Sequence, residues 1–99
     1  MLKVVICCQS SLTTNIMVAK VKEAIKNSGI DAEIAALAET AITKDIDADV
    51  ILLAPQIRYT QADVEKIVEN RIPVAVIDNI DFATGDGAAV VELIKRVTK

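Results

Sequence analysis

The chain contains four short runs of apolar residues that are rich in β-branched side chains. They extend over Leu2 to Cys7, Ala32 to Leu37, Val50 to Leu53 and Val74 to Ile77. Runs of this length and composition are typical of β-strands. The first, third and fourth are apolar almost without interruption, which indicates strands that are covered on both faces. The sequence therefore predicts a parallel sheet flanked by helices.

Helical patterns lie between these strands. An apolar stripe at helical spacing runs from Met17 to Ile25, and Gly29 stands where a C-cap glycine is expected. The pattern predicts a first helix from about Thr13 to Ser28. The last helix is predicted to begin near Asp86 and to carry its basic residues at its C-terminal end.

A capping pattern predicts where the second helix begins. Thr60 and Asp63 form a T-x-x-D box, and Tyr59 and Val64 are spaced for a hydrophobic staple. The side chains expected to face the core from this helix are Val64, Ile67 and Val68.

Alternating strands and helices predict a single α/β domain over residues 1–99, with a doubly wound, four-stranded parallel sheet in the order 2-1-3-4. Residues 39–49 are assigned to the crossover between the second and third strands. Ligands of such sheets bind beyond the carboxyl ends of the strands, at the switch point beside the first strand. The residues that follow Cys7, Leu53 and Ile77 are therefore the candidates for a functional site.

The composition excludes several classes of function. The chain has no histidine, so serine–histidine and cysteine–histidine catalysis are excluded. Aromatic residues make up 2% of the chain and the net charge is −3, which argues against nucleic-acid binding and against a flavin cofactor. The two cysteines are adjacent and cannot form a four-ligand zinc site, so no metal or cofactor is expected. No signal peptide or membrane-spanning run is recognised, and a cytoplasmic location without membrane insertion is predicted.

A polar loop follows the first strand. Cys8 is followed by Gln9, and the hydroxyl-bearing residues before the first helix are Ser10, Ser11, Thr13 and Thr14. Free N–H groups and the dipole at a helix N-terminus attract anions, and the hydroxyls add donors, so this loop is suited to a phosphoryl group. A cysteine at the same positive end is stabilised as a thiolate and becomes a nucleophile without a histidine base.

The two cysteines have different expected roles. Counting residues along the strand places Cys7 in the core and Cys8 at the start of the loop, so Cys8 is the candidate nucleophile. The purely structural alternative is that both are small buried residues and that the hydroxyls only cap the helix.

The segment from Cys8 to Met17 resembles the phosphocysteine loop, C-x-x-G-x-S-T-S, of the enzyme IIB component of the lactose/cellobiose (chitobiose) type in the sugar phosphotransferase system. Ala48 to Tyr59 is similar to the A-D-V-x-L-L-G-P-Q-V-R-Y segment of that family, and the likeness extends over almost the whole chain. Two departures matter: Ser11 and Ala54 stand where the family has glycine.

The resemblance implies a phosphoryl carrier. Cys8 would accept the phosphoryl group from the phosphohistidine of a IIA protein and pass it to a sugar bound by the membrane IIC permease. The sugar would be a β-disaccharide such as cellobiose, chitobiose or lactose. The phosphate-binding residues implied are Gln9, Ser10, Ser11, Leu12, Thr13, Thr14 and Asn15.

Residues after the third strand are expected to form the rim of the pocket or to contact a partner; they are Pro55, Gln56, Arg58 and Tyr59. The alternative function is a IIB-like regulatory or interaction domain without sugar phosphotransfer. A phosphatase with a C-x5-R loop is disfavoured, because the sixth residue after Cys8 is Thr14 and not arginine.

Overall fold

The computed structural model describes residues 2–8, 11–38 and 42–98; at positions 8, 11–16 and 38 the description extends to the backbone alone. Its sheet has four parallel strands in the order β2-β1-β3-β4, which confirms the predicted topology. The strands are β1 (Leu2–Cys8), β2 (Ala32–Ala38), β3 (Val50–Leu53) and β4 (Val74–Val76). Each boundary lies within one residue of the prediction.

The continuous apolar runs are explained by burial on both faces of the sheet. All four residues from Val4 to Cys7 are at most 5% exposed, and all four residues of β3 are fully buried. The edge strand β2 differs, because Ile34 is buried whereas its neighbours Glu33 and Ala35 are exposed. The central strands β1 and β3 therefore form the centre of the core.

Two long helices pack against each other beside the sheet. They are α1 (Ser11–Ser28) and α4 (Gly87–Val97). Their contact is close at Gly87, where a Cβ atom would lie 2.3 Å from the carbonyl oxygen of Lys20. Met17 and Val21 of α1 and Val90 and Ile94 of α4 are buried in the common core, as their helical spacing predicts.

The crossover from β2 to β3 contains no helix over its described part, residues 42–49. Ile42 is buried, and the segment is tied to the first strand at the amino edge of the sheet. The amide of Lys3 donates to Oδ2 of Asp49 over 2.8 Å, and the amide of Asp49 donates to the carbonyl oxygen of Lys3 over 2.7 Å. The Lys3 ammonium also pairs with the carboxylate of Asp47.

The second helix begins at the predicted position, with Thr60 as its N-cap residue, but the predicted capping interaction is absent. A 3₁₀ helix (Pro55–Thr60) directly precedes α2 (Gln61–Ile67). Because Thr60 already has helical backbone angles, its hydroxyl donates backward to the carbonyl oxygen of Ile57 over 2.7 Å and caps no amide of α2. The predicted capping box is therefore wrong.

The predicted staple and one of the core positions of α2 are also wrong. Tyr59 is 70% exposed while Val64 is buried, so Tyr59 does not pack into the core as a staple would. Val64 and Val68 face the core as predicted, but Ile67 is 39% exposed.

A short helix that the sequence patterns did not reveal follows β4. It is α3 (Asn79–Thr84), and its N-cap residue Asp78 accepts a hydrogen bond from the amide of Ile80 over 2.9 Å. Gly85, with φ of 66°, ends the helix, and Asp86 then caps α4 through the amide of Ala89. The predicted start of the last helix is confirmed.

Candidate functional site

The first strand and the first helix meet at the carboxyl edge of the sheet. Cys8 is the last residue of β1, where it pairs with Ala38, and α1 begins at Ser11. Positions 9 and 10, which carry two of the predicted phosphate-binding residues, lie outside the described residues. The strand therefore ends one residue later, and the helix begins two residues earlier, than the sequence predicts.

This early start of α1 changes the predicted loop. The backbone from Ser11 to Asn15 forms the first turns of a helix instead of an extended loop. The first amides of a helix have no partner within the helix, and amides of this kind are typical anion-binding groups. The site is consequently a strand end facing a helix N-terminus with two intervening residues.

The helical backbone also bears on the serine that replaces a family glycine. Ser11 is the first residue of α1. Helical residues have negative φ, which serine adopts without strain. The backbone conformation at position 11 therefore does not require glycine.

Cys7 has the structural role that the strand pattern predicts. Its side chain is fully buried in the core between β2 and β3, opposite Leu37 and Leu53. A buried cysteine of this kind behaves as a small apolar residue. Of the two cysteines, Cys8 alone stands at the edge where ligands of this fold bind.

Hydrogen bonds join the carboxyl ends of the three neighbouring strands. The amide of Ala54 donates to the carbonyl oxygen of Cys7, and the amide of Ile77 donates to that of Leu53, each over 2.9 Å. These bonds hold the residues that follow β3 beside the end of β1, and the residues that follow β4 beside the end of β3. The predicted candidate segments after the three strands are therefore brought together.

The predicted rim residues lie in the 3₁₀ helix. Pro55 is buried, Gln56 is exposed, and Tyr59 has 70% of its surface exposed. The Arg58 guanidinium donates from Nη1 to the carbonyl oxygen of Pro55 over 3.1 Å. This bond holds the arginine near the end of β3.

A cleft of about 710 Å³ opens beside the ends of β3 and β4. Its walls come from the 3₁₀ helix, from the start of α3 and from one face of α4. The charged side chains that line it are Arg58, Asp78, Asp81 and Arg96.

Sequence reasoning overlooked part of this cleft. Ala89, Leu93 and Arg96 stand at positions i, i+4 and i+7 of α4 and line one wall. Their spacing indicates a shared helix face, but no sequence pattern predicts that this face lies opposite the 3₁₀ helix. Of the two aspartates that line the cleft, Asp78 is the N-cap residue of α3.

The described residues contain no group of three His, Cys, Asp or Glu residues close enough to hold a metal ion. Within the same residues, no helix combines the length and apolar character needed to cross a membrane. At the opposite edge of the sheet, the hydrogen bond and charge of Asp47 raise the pKa of Lys3.

Comparison with known proteins identifies the family. Residues 3–93 match the family described as "PTS system, Lactose/Cellobiose specific IIB subunit". The chain belongs to this family. The match includes the end of β1, the 3₁₀ helix and most of α4, and of the site residues described above only Arg96 lies beyond the matched residues.

Three relatives illustrate the similarity. The oligo-beta-mannoside-specific EIIB component of Bacillus subtilis (strain 168) is 32% identical over 89 residues, covering 88% of this IIB chain and 86% of the relative. The solution structure of the cellobiose-specific IIB component of Borrelia burgdorferi is 31% identical, with a TM-score of 0.78 and coverage of 98% and 91%. The lactose-specific IIB domain of Streptococcus pneumoniae has a TM-score of 0.85 at 19% identity, covering 99% of this chain and 98% of that domain, which shows a common fold.

Proposed function

We propose that this IIB chain is a phosphocysteine carrier, with Cys8 as the residue that bears the phosphoryl group. The observation that carries the proposal is the position of Cys8 at the end of β1, separated by two residues from the start of α1. The helix N-terminus favours the thiolate over the thiol and offers amide donors to the phosphoryl oxygens. Both properties are those that a phosphocysteine needs.

In the first step the Cys8 thiolate attacks the phosphorus of a phosphohistidine on a IIA protein. An S–P bond forms, the P–N bond breaks, and the imidazole keeps the electron pair of that bond. In the second step a sugar hydroxyl attacks the phosphorus, the S–P bond breaks, and Cys8 leaves as the thiolate. The hydroxyl proton is released to a base on the acceptor side.

The contribution of this chain to both steps is positioning and electrostatic stabilisation. Charge on the transferring phosphoryl group is spread over its three equatorial oxygens. The phosphate-binding group that we propose is made of the backbone amides from Gln9 to Asn15 and the hydroxyls among those residues. Pro55, Gln56, Arg58 and Tyr59 are proposed to form the rim and to contact partners.

The partners proposed are a phosphorylated IIA protein as donor and a membrane IIC permease that holds the sugar, with the carrier itself in the cytoplasm. Relatives of this chain are named for oligo-β-mannosides, cellobiose and lactose, and all of these are β-linked sugars. We therefore propose a β-disaccharide as the substrate class. The corresponding activity is that of a protein-phosphohistidine–sugar phosphotransferase.

Intact-mass measurement after incubation with a phosphorylated IIA protein of the lactose/cellobiose type tests the carrier residue. We expect wild type and Cys7→Ala to gain one phosphoryl group, because Cys7 is buried, and Cys8→Ser to gain none. A gain of mass by Cys8→Ser would exclude Cys8 as the carrier. Transfer onward to sugar in IIC-containing membranes separates a transport component from a regulatory IIB-like domain, which would be phosphorylated but would not support sugar phosphorylation.

A further inference from the structure

We infer that the cleft beside β4 and its two apolar borders form the surface on which the phosphoryl-donor protein docks. This inference rests on the proposed function, and it adds residues that no sequence pattern indicated. The donor-docking surface is defined by Tyr59, Ile80, Arg58, Asp81 and Arg96.

The apolar borders are the first observation. Tyr59 is 70% exposed and Ile80 is 71% exposed, and within the described residues Ile67 is the one other large apolar side chain that is exposed. Along the chain, Tyr59 directly follows the cleft-lining Arg58, and Ile80 stands between the cleft-lining Asn79 and Asp81, although neither Tyr59 nor Ile80 lines the cleft itself. Exposed apolar side chains that border a polar cleft are typical of protein interfaces, and tyrosine and arginine are enriched among the residues that dominate binding energy.

The charged side chains that line the cleft indicate that its ligand is a protein rather than a small anion. Arg58 and Arg96 line the same space as Asp78 and Asp81, so the cleft carries both signs of charge. The carboxylates repel phosphate, whereas a protein surface with basic and acidic groups can pair with both. Arg96 has no ion pair or hydrogen bond with any other described residue, which leaves its guanidinium available to a carboxylate of the partner.

The free edge of β4 adds main-chain groups to this surface. The bonds from Ile51 N–H to Pro73 O and from Ile77 N–H to Leu53 O fix a parallel register in which Ala75 points both main-chain groups toward β3. Val76 therefore directs its N–H and C=O away from β3, and Val76 lines the cleft. Neither group has a partner among the described residues, so both are open to polar groups of a docked protein.

The position of the surface favours the donor as its occupant. The amide of Ala54 binds the carbonyl oxygen of Cys7, so Pro55 and the cleft begin beside the strand end that carries Cys8. In the donor step both reacting atoms belong to amino-acid side chains, and the two protein surfaces must meet directly around Cys8. In the onward step the acceptor is a separate sugar molecule, which lies between the carrier and the permease.

Steady-state phosphoryl transfer from a purified, phosphorylated IIA protein of the lactose/cellobiose type tests the inference. We expect Ile80→Ala and Arg96→Gln each to raise the KM for this donor about tenfold or more, with little change in kcat, because both side chains contribute to docking and neither belongs to the proposed phosphate site. Ile67→Ala and Lys95→Gln are matched controls, since Ile67 is an exposed apolar residue outside the surface and Lys95 precedes Arg96 in the last turn of α4. The controls should leave KM unchanged, and thermal unfolding should show that all four variants fold.

The outcomes separate this inference from the proposed function. Failure of wild type to accept a phosphoryl group would overturn the proposed function and, with it, this inference. Phosphorylation of wild type with unchanged KM in Ile80→Ala and Arg96→Gln would overturn the docking surface alone. If the two variants lose only the onward transfer from the phosphorylated chain to sugar in IIC-containing membranes, the surface belongs to the permease and the donor assignment is wrong.

Discussion

At the scale of single residues, Gly87 sets how closely the two long helices approach. A Cβ atom at this position would lie 2.3 Å from the carbonyl oxygen and 2.7 Å from the carbonyl carbon of Lys20. Both atoms belong to the backbone of α1 and cannot move away as a flexible side chain could. Glycine is therefore required here for close approach, although Gly87 is also the first residue of α4.

We expect Gly87→Ala to lower the free energy of unfolding by about 2–3 kcal/mol, the upper range for overpacking a core. Urea unfolding followed by circular dichroism at a helical wavelength measures this change. Ala88→Ser is the matched control, since Ala88 is the next residue of α4 and its side chain is exposed. Equal unfolding midpoints for Gly87→Ala and wild type would show that α1 and α4 can separate without cost.

The two cysteines show which properties of a single residue can be predicted from the sequence and which cannot. Strand alternation was sufficient to place Cys7 in the core, and its side chain is fully buried. The same counting placed Cys8 at the start of the loop, but Cys8 still pairs with Ala38 in the sheet. Pairing with a neighbouring strand determines where β1 ends, and a single run of residues carries no information about that neighbour.

At the scale of secondary-structure elements, the strands were predictable and the helix starts were less so. Continuous apolar runs reflect burial on both faces, which is why Val50–Leu53 was predicted to the residue. The capping pattern at Thr60 failed because the 3₁₀ helix from Pro55 already supplies the preceding turn. A local capping pattern describes the start of an isolated helix. It does not reveal that a helix continues directly from a preceding helical segment.

The end of α2 has an unusual backbone. Glu69 and Asn70 have φ of 55° and 58°, in the left-handed region that side chains other than glycine and asparagine seldom adopt. The amide of Asn70 donates to the carbonyl oxygen of Glu65 over 2.9 Å and closes the helix end. The hydrogen bond therefore stabilises the turn, whereas the left-handed backbone conformation of Glu69 is strained and destabilises it.

We expect Glu69→Gly to raise the free energy of unfolding by about 0.5 kcal/mol, because relief of left-handed strain slightly exceeds the entropy that glycine adds to the unfolded chain. The same change at Glu65, inside α2, should lower the unfolding free energy by about 1 kcal/mol, the usual penalty of glycine in a helix. Urea unfolding of both variants checks the opposite signs. A loss of stability in Glu69→Gly as large as that in Glu65→Gly would contradict the strain argument.

At the scale of the whole molecule, the edge of the sheet at the carboxyl ends of the strands and the edge at their amino ends have different roles. The carboxyl edge brings together the ends of β1, β3 and β4 and carries the proposed site and the donor-docking surface. The amino edge is held by the bonds between Lys3 and the 42–49 crossover. The seven residues of β1 separate the two edges by on the order of 20 Å, so changes at the amino edge should affect stability without affecting phosphoryl transfer.

Because the pKa of Lys3 is raised, the contribution of the amino edge to stability can be tested by changing the pH. The folded-state pKa of Lys3 lies above the unfolded value of about 10.4. The pairing of Lys3 with Asp47 therefore stabilises the fold fully below the unfolded pKa. This stabilisation is lost as the pH rises through the folded-state pKa. The difference in unfolding free energy between wild type and Lys3→Gln should therefore be constant from neutral pH to about pH 9 and decline above about pH 10.4. Lys22→Gln, which removes a lysine at an exposed position on α1, is the matched control. Phosphoryl transfer by Lys3→Gln at neutral pH should equal that of wild type, and reduced transfer with unchanged stability would mean that the amino edge takes part in function.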